Sequence, residues 1–486
     1  MTDVDEAINN EMGSLCKRSY LLLLLVYLTV DYCHAPQIML VMFLAPPADA
    51  FDYNPHAYNA QTIITEWHLT EKEINWIPGL LQSIFFLGFM VGTVLFGQLS
   101  DKYGRRSIGW KVYTILMIAA LLIGFTQNWQ QMAACRTLSG LGIGGLSVVN
   151  TIMLQEMSAS KMWVTNGIIG QISFTLFMCV FLIITYYIPT WRTLCVVAAL
   201  PGLLGYLFYI FTPESPRWLL SLGRVDEAEA VIQKFSKRNG NQHSYYKLVT
   251  GDGDIDEPYS DSQHRSLAPL EVKNSILDLV KQPVLRYRTA ILSFVWFTTS
   301  FVFYCITLGA GSFSPNFYLA FGMSAISQLP SVPICLYFME RKWCGRRGTL
   351  CLLMSMTSLS MFIMYIVPNT DANSHFRLIL SMVAKVGSSG CFTLIYVYTP
   401  ELFPTVVRNV GLGSMSTVAR IGSMTAPFLA TYTVNSNSAT PFLCYGILCG
   451  ISAVLALLLP ETCGKKIVNT IDEAYTHEEE DGEITS

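Results

Sequence analysis

The sequence predicts an all-α polytopic membrane protein, with twelve transmembrane helices in two pseudo-symmetric six-helix bundles. Three observations predict it. Hydrophobic residues make up 52% of the 486 and charged residues 13%, with a mean hydropathy of +0.42. That is more apolar surface than a soluble domain can bury. Twelve apolar stretches are present, each of about 20 residues, long enough to cross a hydrocarbon core of roughly 30 Å. A phrase also recurs after an apolar run, as GQLSDKYGRRS at 97–107 and as YFMERKWCGRRG at 337–348.

The apolar stretches run 20–44, 78–98, 108–126, 132–155, 163–188 and 192–211 in the first half. In the second half they run 289–309, 317–339, 349–367, 376–398, 411–432 and 441–459. Asp101 and Glu340, Arg136 and Lys385, Glu156 and Glu401, and the phrases PESPRW at Pro213 and PETCGK at Pro460 repeat at a nearly constant offset. A duplicated six-helix unit accounts for this. The organisation expected is an N-terminal bundle at 1–212 with a short outer loop at 45–77, a cytoplasmic helical linker at 213–287, a C-terminal bundle at 288–460 and an acidic tail at 461–486.

Orientation follows from the short loops. Lys102, Arg105, Arg106 and Lys111 follow the second stretch, and Arg341, Lys342, Arg346 and Arg347 follow the eighth. Lys161 and Arg408 add to the same side, whereas the opposite loops hold little beyond Lys72 and Arg377. Both termini are expected in the cytoplasm, and the first stretch reads as a retained helix rather than a cleaved signal. In the linker, 223–237 and 270–281 have amphipathic helical spacing, and the intervening polar segment reads as a flexible link.

The thirteen cysteines form no disulfide framework or zinc spacing, and no N-x-S/T sequon occurs. Cys16 beside Lys17 and Arg18 is either an inert thiol or a palmitoylation site. A net charge of −3 offers no basic field for nucleic acid. There is no phosphate-binding loop ending in Gly-Lys-Ser/Thr, no paired metal ligands and no nucleophile elbow. An enzyme and a direct use of ATP are therefore not expected, and no cofactor is implied.

A duplicated membrane bundle suits a transporter that alternates between two open states. Charges at helix ends can pair in one state and separate in the other. The candidates are Asp101, Arg105, Arg106, Glu156 and Glu214 in the first half, and Glu340, Arg346, Arg347, Glu401 and Arg408 in the second. The alternative is that the basic residues only set topology.

GQLSDKYGRRS resembles the signature of the major facilitator superfamily. PESPRWLLSLGR after the sixth stretch is similar to sugar porters and organic-ion solute carriers. YTPELFPTVVRNVGLGSMSTVARIGSMTAPF at 398–428 and SFVWFTTSFVFY at 293–304 resemble the organic cation, organic anion and carnitine transporters. The resemblance implies a plasma-membrane secondary carrier of small organic ions, acting as a monomer in the lipid bilayer with a coupling ion or exchange anion. Two departures stand out. Family members carry a long, cysteine-rich, glycosylated first outer loop where this chain has a short one without cysteine, and the second-half motif has two extra residues before its glycine.

Ionisable residues inside spans narrow the substrate. An Arg at mid-span costs at least about 2.5–3.5 kcal/mol on insertion scales, so Arg420 should face a polar cavity or have a partner. It reads as a docking point for a carboxylate, sulfate or phosphate, or as half of a structural ion pair. The resemblance favours Arg here for anion and carnitine carriers, hence an anionic or zwitterionic substrate, with organic cations as the alternative. Lys385 is a second cation, sharing a helix stripe with Phe392 and Tyr396; Trp296, Phe303 and Tyr304 match aromatic positions of the family's pocket. Such a wall suits a polyspecific site.

Asp31 and His34 lie three apart in the first stretch beside Pro36. They read as an internal hydrogen-bonded pair, as a contact from Asp31 to a zwitterion's ammonium, or as a proton-coupling device. Gln171 and Gln328 are candidate hydrogen-bonding residues for substrate, and Arg136 resembles a coupling motif of the family. A sugar porter remains an alternative, weakened by Arg420 and Lys385 and by the lack of paired glutamines in the seventh stretch. A substrate sensor with little transport is the third.

Overall fold

The computed structural model describes residues 4–46, 50–52, 54–56, 60–241, 281, 283–404, 407–436 and 439–464. These residues are almost wholly helical, with one isolated bridge between Gln61 and Thr190. A bilayer offers no water to backbone N–H and C=O groups, so apolar segments satisfy them internally as helices.

In order, the long helices are Arg18–Leu44, Ile77–Tyr103, Arg105–Ile123, Trp129–Met157 and Trp163–Tyr187. Trp191–Phe211 and Phe317–Met339 form the sixth and eighth spans. The sixth is interrupted by a 3-10 turn at Leu200–Leu203, where Pro201 and Gly202 weaken the helix, and the eighth by a turn before Pro330. Pro283–Leu308, Gly345–Ile366 and Ser374–Leu402 are the seventh, ninth and tenth.

Among the described residues, ten helices are long and apolar enough to cross a membrane, against the twelve expected. The two differences have identifiable causes. Arg408–Ser436 has 29 residues, but Ser, Thr, Gly and Arg420 dilute its hydropathy. Thr440–Ala456 is apolar but has 17 residues. The expected linker helix at 223–237 is Val225–Asn239, ended by Gly240 in the left-handed region at φ 92°. Most of the helix expected at 270–281, the flexible link and the tail beyond 464 lie outside the described residues. All thirteen cysteines are free.

The second span packs on the fourth, and the third on the fourth. In the second half the seventh packs on the eleventh, and the ninth on both the tenth and twelfth. The two halves meet along the second and eleventh spans and along the fifth and eighth. Close approach of the second and fourth spans depends on glycine: a Cβ at Gly140 would lie 2.1 Å from the Phe85 carbonyl oxygen, and one at Gly144 2.0 Å from that of Phe89.

The 45–77 loop is tied down at the start of the sixth span. Trp191 Nε1 donates to Glu66 at 2.7 Å, and Arg192 pairs with Glu66 at 2.6 Å. The Arg192 hydrogen bond holds the Glu66 carboxyl below the usual carboxylate range. A depressed folded-state pKa stabilises above the unfolded value and is lost as pH falls through the folded one. The pair is partly exposed, so its contribution is at most about 1 kcal/mol. In melting scans of detergent-solubilised protein, Glu66→Gln is expected to lower the midpoint at neutral pH, and the difference from wild type should close as pH drops below the carboxylate range.

A candidate substrate site between the two halves

The duplicated phrases build the same clasp twice. Arg105 forms a two-point contact with Glu156, Nε at 3.1 Å and Nη2 at 2.9 Å, and its Nη1 donates to the Ser100 carbonyl at 2.8 Å. In the second half Arg346 lies 3.3 Å from Glu401, and its Nη1 donates to the Met339 carbonyl at 3.0 Å. Glu214 accepts the backbone N–H groups of Arg105 and Arg106 at 2.8 and 3.0 Å. Glu461 accepts those of Arg346 and Arg347 at 2.9 and 3.1 Å. Each carboxylate satisfies open N–H groups at a helix start, where the macrodipole favours negative charge.

Gly104 and Gly345 adopt positive φ, 97° and 64°, and a Cβ at either would strike the carboxylate of Glu214 or Glu461. The halves differ at one point. Asp101 pairs with Arg105 at 2.9 Å, whereas Glu340 is exposed and has no ion pair among the described residues, the two extra residues having moved it off the helix turn that faces Arg346. The Arg106 side chain reaches the Ile210 carbonyl rather than an acid, and Arg408 has a buried Nε and Nη2 without hydrogen-bond partners.

Among the described residues, every ion pair at this basic end stays within one half or within the linker. Contacts between halves gather toward the opposite, loop-bearing end. Ser83 donates to the Met424 carbonyl at 2.6 Å and Asn54 to Tyr318 at 3.1 Å, and Phe43 packs against Phe317 and Phe321. The bundle is therefore joined at the loop-bearing end.

Just below these contacts, both halves contribute to one cluster. The Arg420 guanidinium lies 4.2 Å over the Phe89 ring and contacts Tyr304, with His34 close by. Arg420 is half-buried, its Nε has no hydrogen-bond partner, and no carboxylate pairs with it among the described residues. Tyr304 packs on Phe86 of the other half at 4.7 Å and on Phe303 at 5.2 Å. Phe303 meets Phe392 at 5.0 Å, and Trp296 meets Tyr396 at 4.8 Å while its Nε1 donates to Thr399. Tyr396 is 44% exposed, so one face of this aromatic wall is open.

Lys385 is fully buried, with no carboxylate against it among the described residues. Its Nζ is held by Thr307 and the Phe303 carbonyl and lies over the Phe303 ring. Arg136 is likewise buried among neutral groups, donating to Gln37 and Gln82 and stacking on Phe85 at 4.3 Å. A buried charge that no counter-ion balances carries a desolvation penalty, and an apolar side chain of similar volume at that position removes it. For Lys385→Met we expect a melting temperature at or above wild type together with loss of most uptake. Retained uptake would assign the lysine to packing alone.

Asp31 and His34 do not pair with each other. Asp31 accepts from Ser173, and His34 sits between Phe89 and Phe174 with its Nε2 unpartnered. The three-residue spacing places them on one face, but each finds a different neighbour across it. Gln328 is buried with Nε2 near the Met178 sulfur, and Gln171 is half-buried. Sequence reasoning missed Phe89, Thr307, Gln82 and Ser173, which look like ordinary span residues until a charge is placed beside them. It also missed Glu461, to which PETCGK, the repeat of PESPRW, could have pointed.

The sugar (and other) transporter family profile matches residues 47–474. A solute carrier family 22 member 15-like protein of Xenopus tropicalis is 34% identical over 97% of this chain and 96% of its own length. Organic cation/carnitine transporter 2 of Homo sapiens is 29% identical over 87% of this chain and 73% of its own. Among solved structures, the xylose transporter XylE from E. coli in a partially occluded inward-open conformation has a TM-score of 0.67 at 16% identity, covering 92% of this chain and 99% of that one. With its helices, duplicated clasps and interhalf cluster, this chain belongs to the sugar (and other) transporter family as a membrane transporter of the solute carrier family 22 type, and is not an enzyme.

Proposed function

We propose that this chain is a secondary carrier of small organic anions or zwitterions, carnitine-like solutes included, working by alternating access. The observation that carries the reading is Arg420, a half-buried cation without a carboxylate among the described residues, at the meeting of the halves. A cation there gains most from a ligand that brings its own carboxylate, sulfate or phosphate. Tyr304, Phe303, Trp296, Phe392 and Tyr396 supply flat apolar contact, and Lys385 adds positive potential.

Asp31, Gln171 and Gln328 are proposed to complete the substrate contacts. Arg136 and His34 serve in coupling, and the two clasps act as the gate at the basic end. With the termini and basic loops in the cytoplasm, the joined loop-bearing end makes this the inward-facing state, in the plasma membrane. Gradients, membrane potential or exchange drive the cycle, a potential supplying about 2.3 kcal/mol per charge per 100 mV. Organic cations are the second reading, favoured by Asp31, which faces a serine rather than a cation, and by the name of the human relative.

The test is radiolabelled uptake in cells expressing the chain, with para-aminohippurate, carnitine and tetraethylammonium compared side by side. Uptake of the first two is expected. Uptake of tetraethylammonium alone would move the charge assignment to Asp31, and uptake of none would favour a sensor.

A further inference from the structure

A cavity of about 730 Å³ lies above the interhalf cluster, at the loop-bearing end. Both halves line it: Met42, Glu71 and Gln82 come from the first, and Leu308, Phe317 and Thr431 from the second. Among the described residues, Glu71 is the one acidic residue in its lining, which holds no Lys or Arg.

Gln82 is 1% exposed, and its amide is oriented by chemistry. Arg136 donates to Gln82 Oε1 at 2.7 Å. A guanidinium can only donate, so the amide oxygen must face it and the NH₂ must face elsewhere. That Nε2 is buried and has no partner. A buried donor left unpaired is costly, and a ligand acceptor would recover that cost. The cavity thus offers a carboxylate, an unmatched donor backed by a guanidinium, and apolar walls between.

We propose that this cavity is a second ligand site, separate from Arg420, for a small organic cation that also carries a hydrogen-bond acceptor, and that its occupancy holds the two halves together at this end. An ammonium takes Glu71 and a carbonyl oxygen takes Gln82 Nε2. Because the walls belong to different halves, a bound molecule bridges them and opposes opening toward the loop side. It acts as an inhibitor that does not compete at Arg420.

The test uses the full chain, purified in detergent, with Met42→Cys. Its thiolate attacks the disulfide-type sulfur of a methanethiosulfonate, forming a mixed disulfide and releasing methanesulfinate. Labelling of the peptide containing residue 42 is followed by mass with a trimethylammonium-ethyl reagent and a sulfonatoethyl reagent, each rate divided by that reagent's rate with free mercaptoethanol. The cationic reagent is expected to be favoured by roughly fivefold or more, as a cleft of one charge sign focuses its counter-ion. Glu71→Gln should erase the preference. Acetylcholine should slow the labelling more than choline, which lacks the carbonyl.

Labelled protein returned to proteoliposomes should lose uptake. Equal rates with both reagents, or no protection by acetylcholine, would overturn the site, and full uptake after complete labelling would overturn the bridging. Labelling is read without transport, so Arg420→Ala should keep it unchanged even where uptake is gone. That separates failure of this site from failure of the carrier assignment.

Discussion

Arg420→Ala is expected to lower carnitine and para-aminohippurate uptake by roughly 10- to 100-fold while leaving the protein folded, since a hydrogen bond to a charged group contributes about 1.5–3 kcal/mol and each 1.4 kcal/mol is tenfold. The geometry argues for a functional loss rather than collapse. The guanidinium has no carboxylate among the described residues and leaves its Nε unsatisfied, so removing it strands no buried anion. What it loses is stacking on Phe89 and contact with Tyr304. Arg420→Lys keeps the charge but loses the planar fork and should recover only part of the uptake. Surface abundance measured in parallel checks the reading: a variant that disappears from the membrane would make the residue structural, and one that is abundant but transports carnitine normally would remove Arg420 from the site.

Gly144→Val should have the largest effect on folding. A Cβ at this position would lie 2.0 Å from the Phe89 carbonyl oxygen, and Phe89 is backbone-packed against the fourth span with no side-chain slack to absorb it. The second span would have to move away as a unit. Overpacking costs typically 1–3 kcal/mol and occasionally more, and here the displaced residue carries the ring on which Arg420 rests. Loss of monodisperse protein after detergent extraction is expected. Gly167→Val is the matched control, because nothing lies within 4 Å of a Cβ there. If both variants behave alike, the close approach of the second and fourth spans is not what stabilises this half.

Much of the fold was legible because a bilayer constrains sequence so strongly. Apolar length gave the long helices, and the repeat of GQLSDKYGRRS in YFMERKWCGRRG, with PESPRW in PETCGK, pointed to matching basic ends with Glu214 as an acidic partner; Glu461 as its counterpart came from the structure. The eleventh stretch, expected at 411–432, is the helix Arg408–Ser436; it lines the meeting of the halves and can afford polar residues, so its mean hydropathy is lower than that of the other long helices. The candidate site was half legible: Arg420, Lys385 and the seventh-span aromatics stand out as charges or rings in apolar runs. Their neighbours do not, since Phe89 and Thr307 are unremarked residue types inside a helix.

The sequence by itself determined that the chain is built of long apolar helices in two related sets, and which residues inside them carry charge, because each of these depends on local composition and spacing. Only the tertiary structure decided that Asp31 turns to Ser173 rather than His34, that Lys385 rests on Thr307 and Phe303, and that the halves are joined at the loop-bearing end. Those outcomes depend on which helix lies opposite, and neighbours across a bundle are brought together by packing between segments far apart in the chain, which local spacing does not encode.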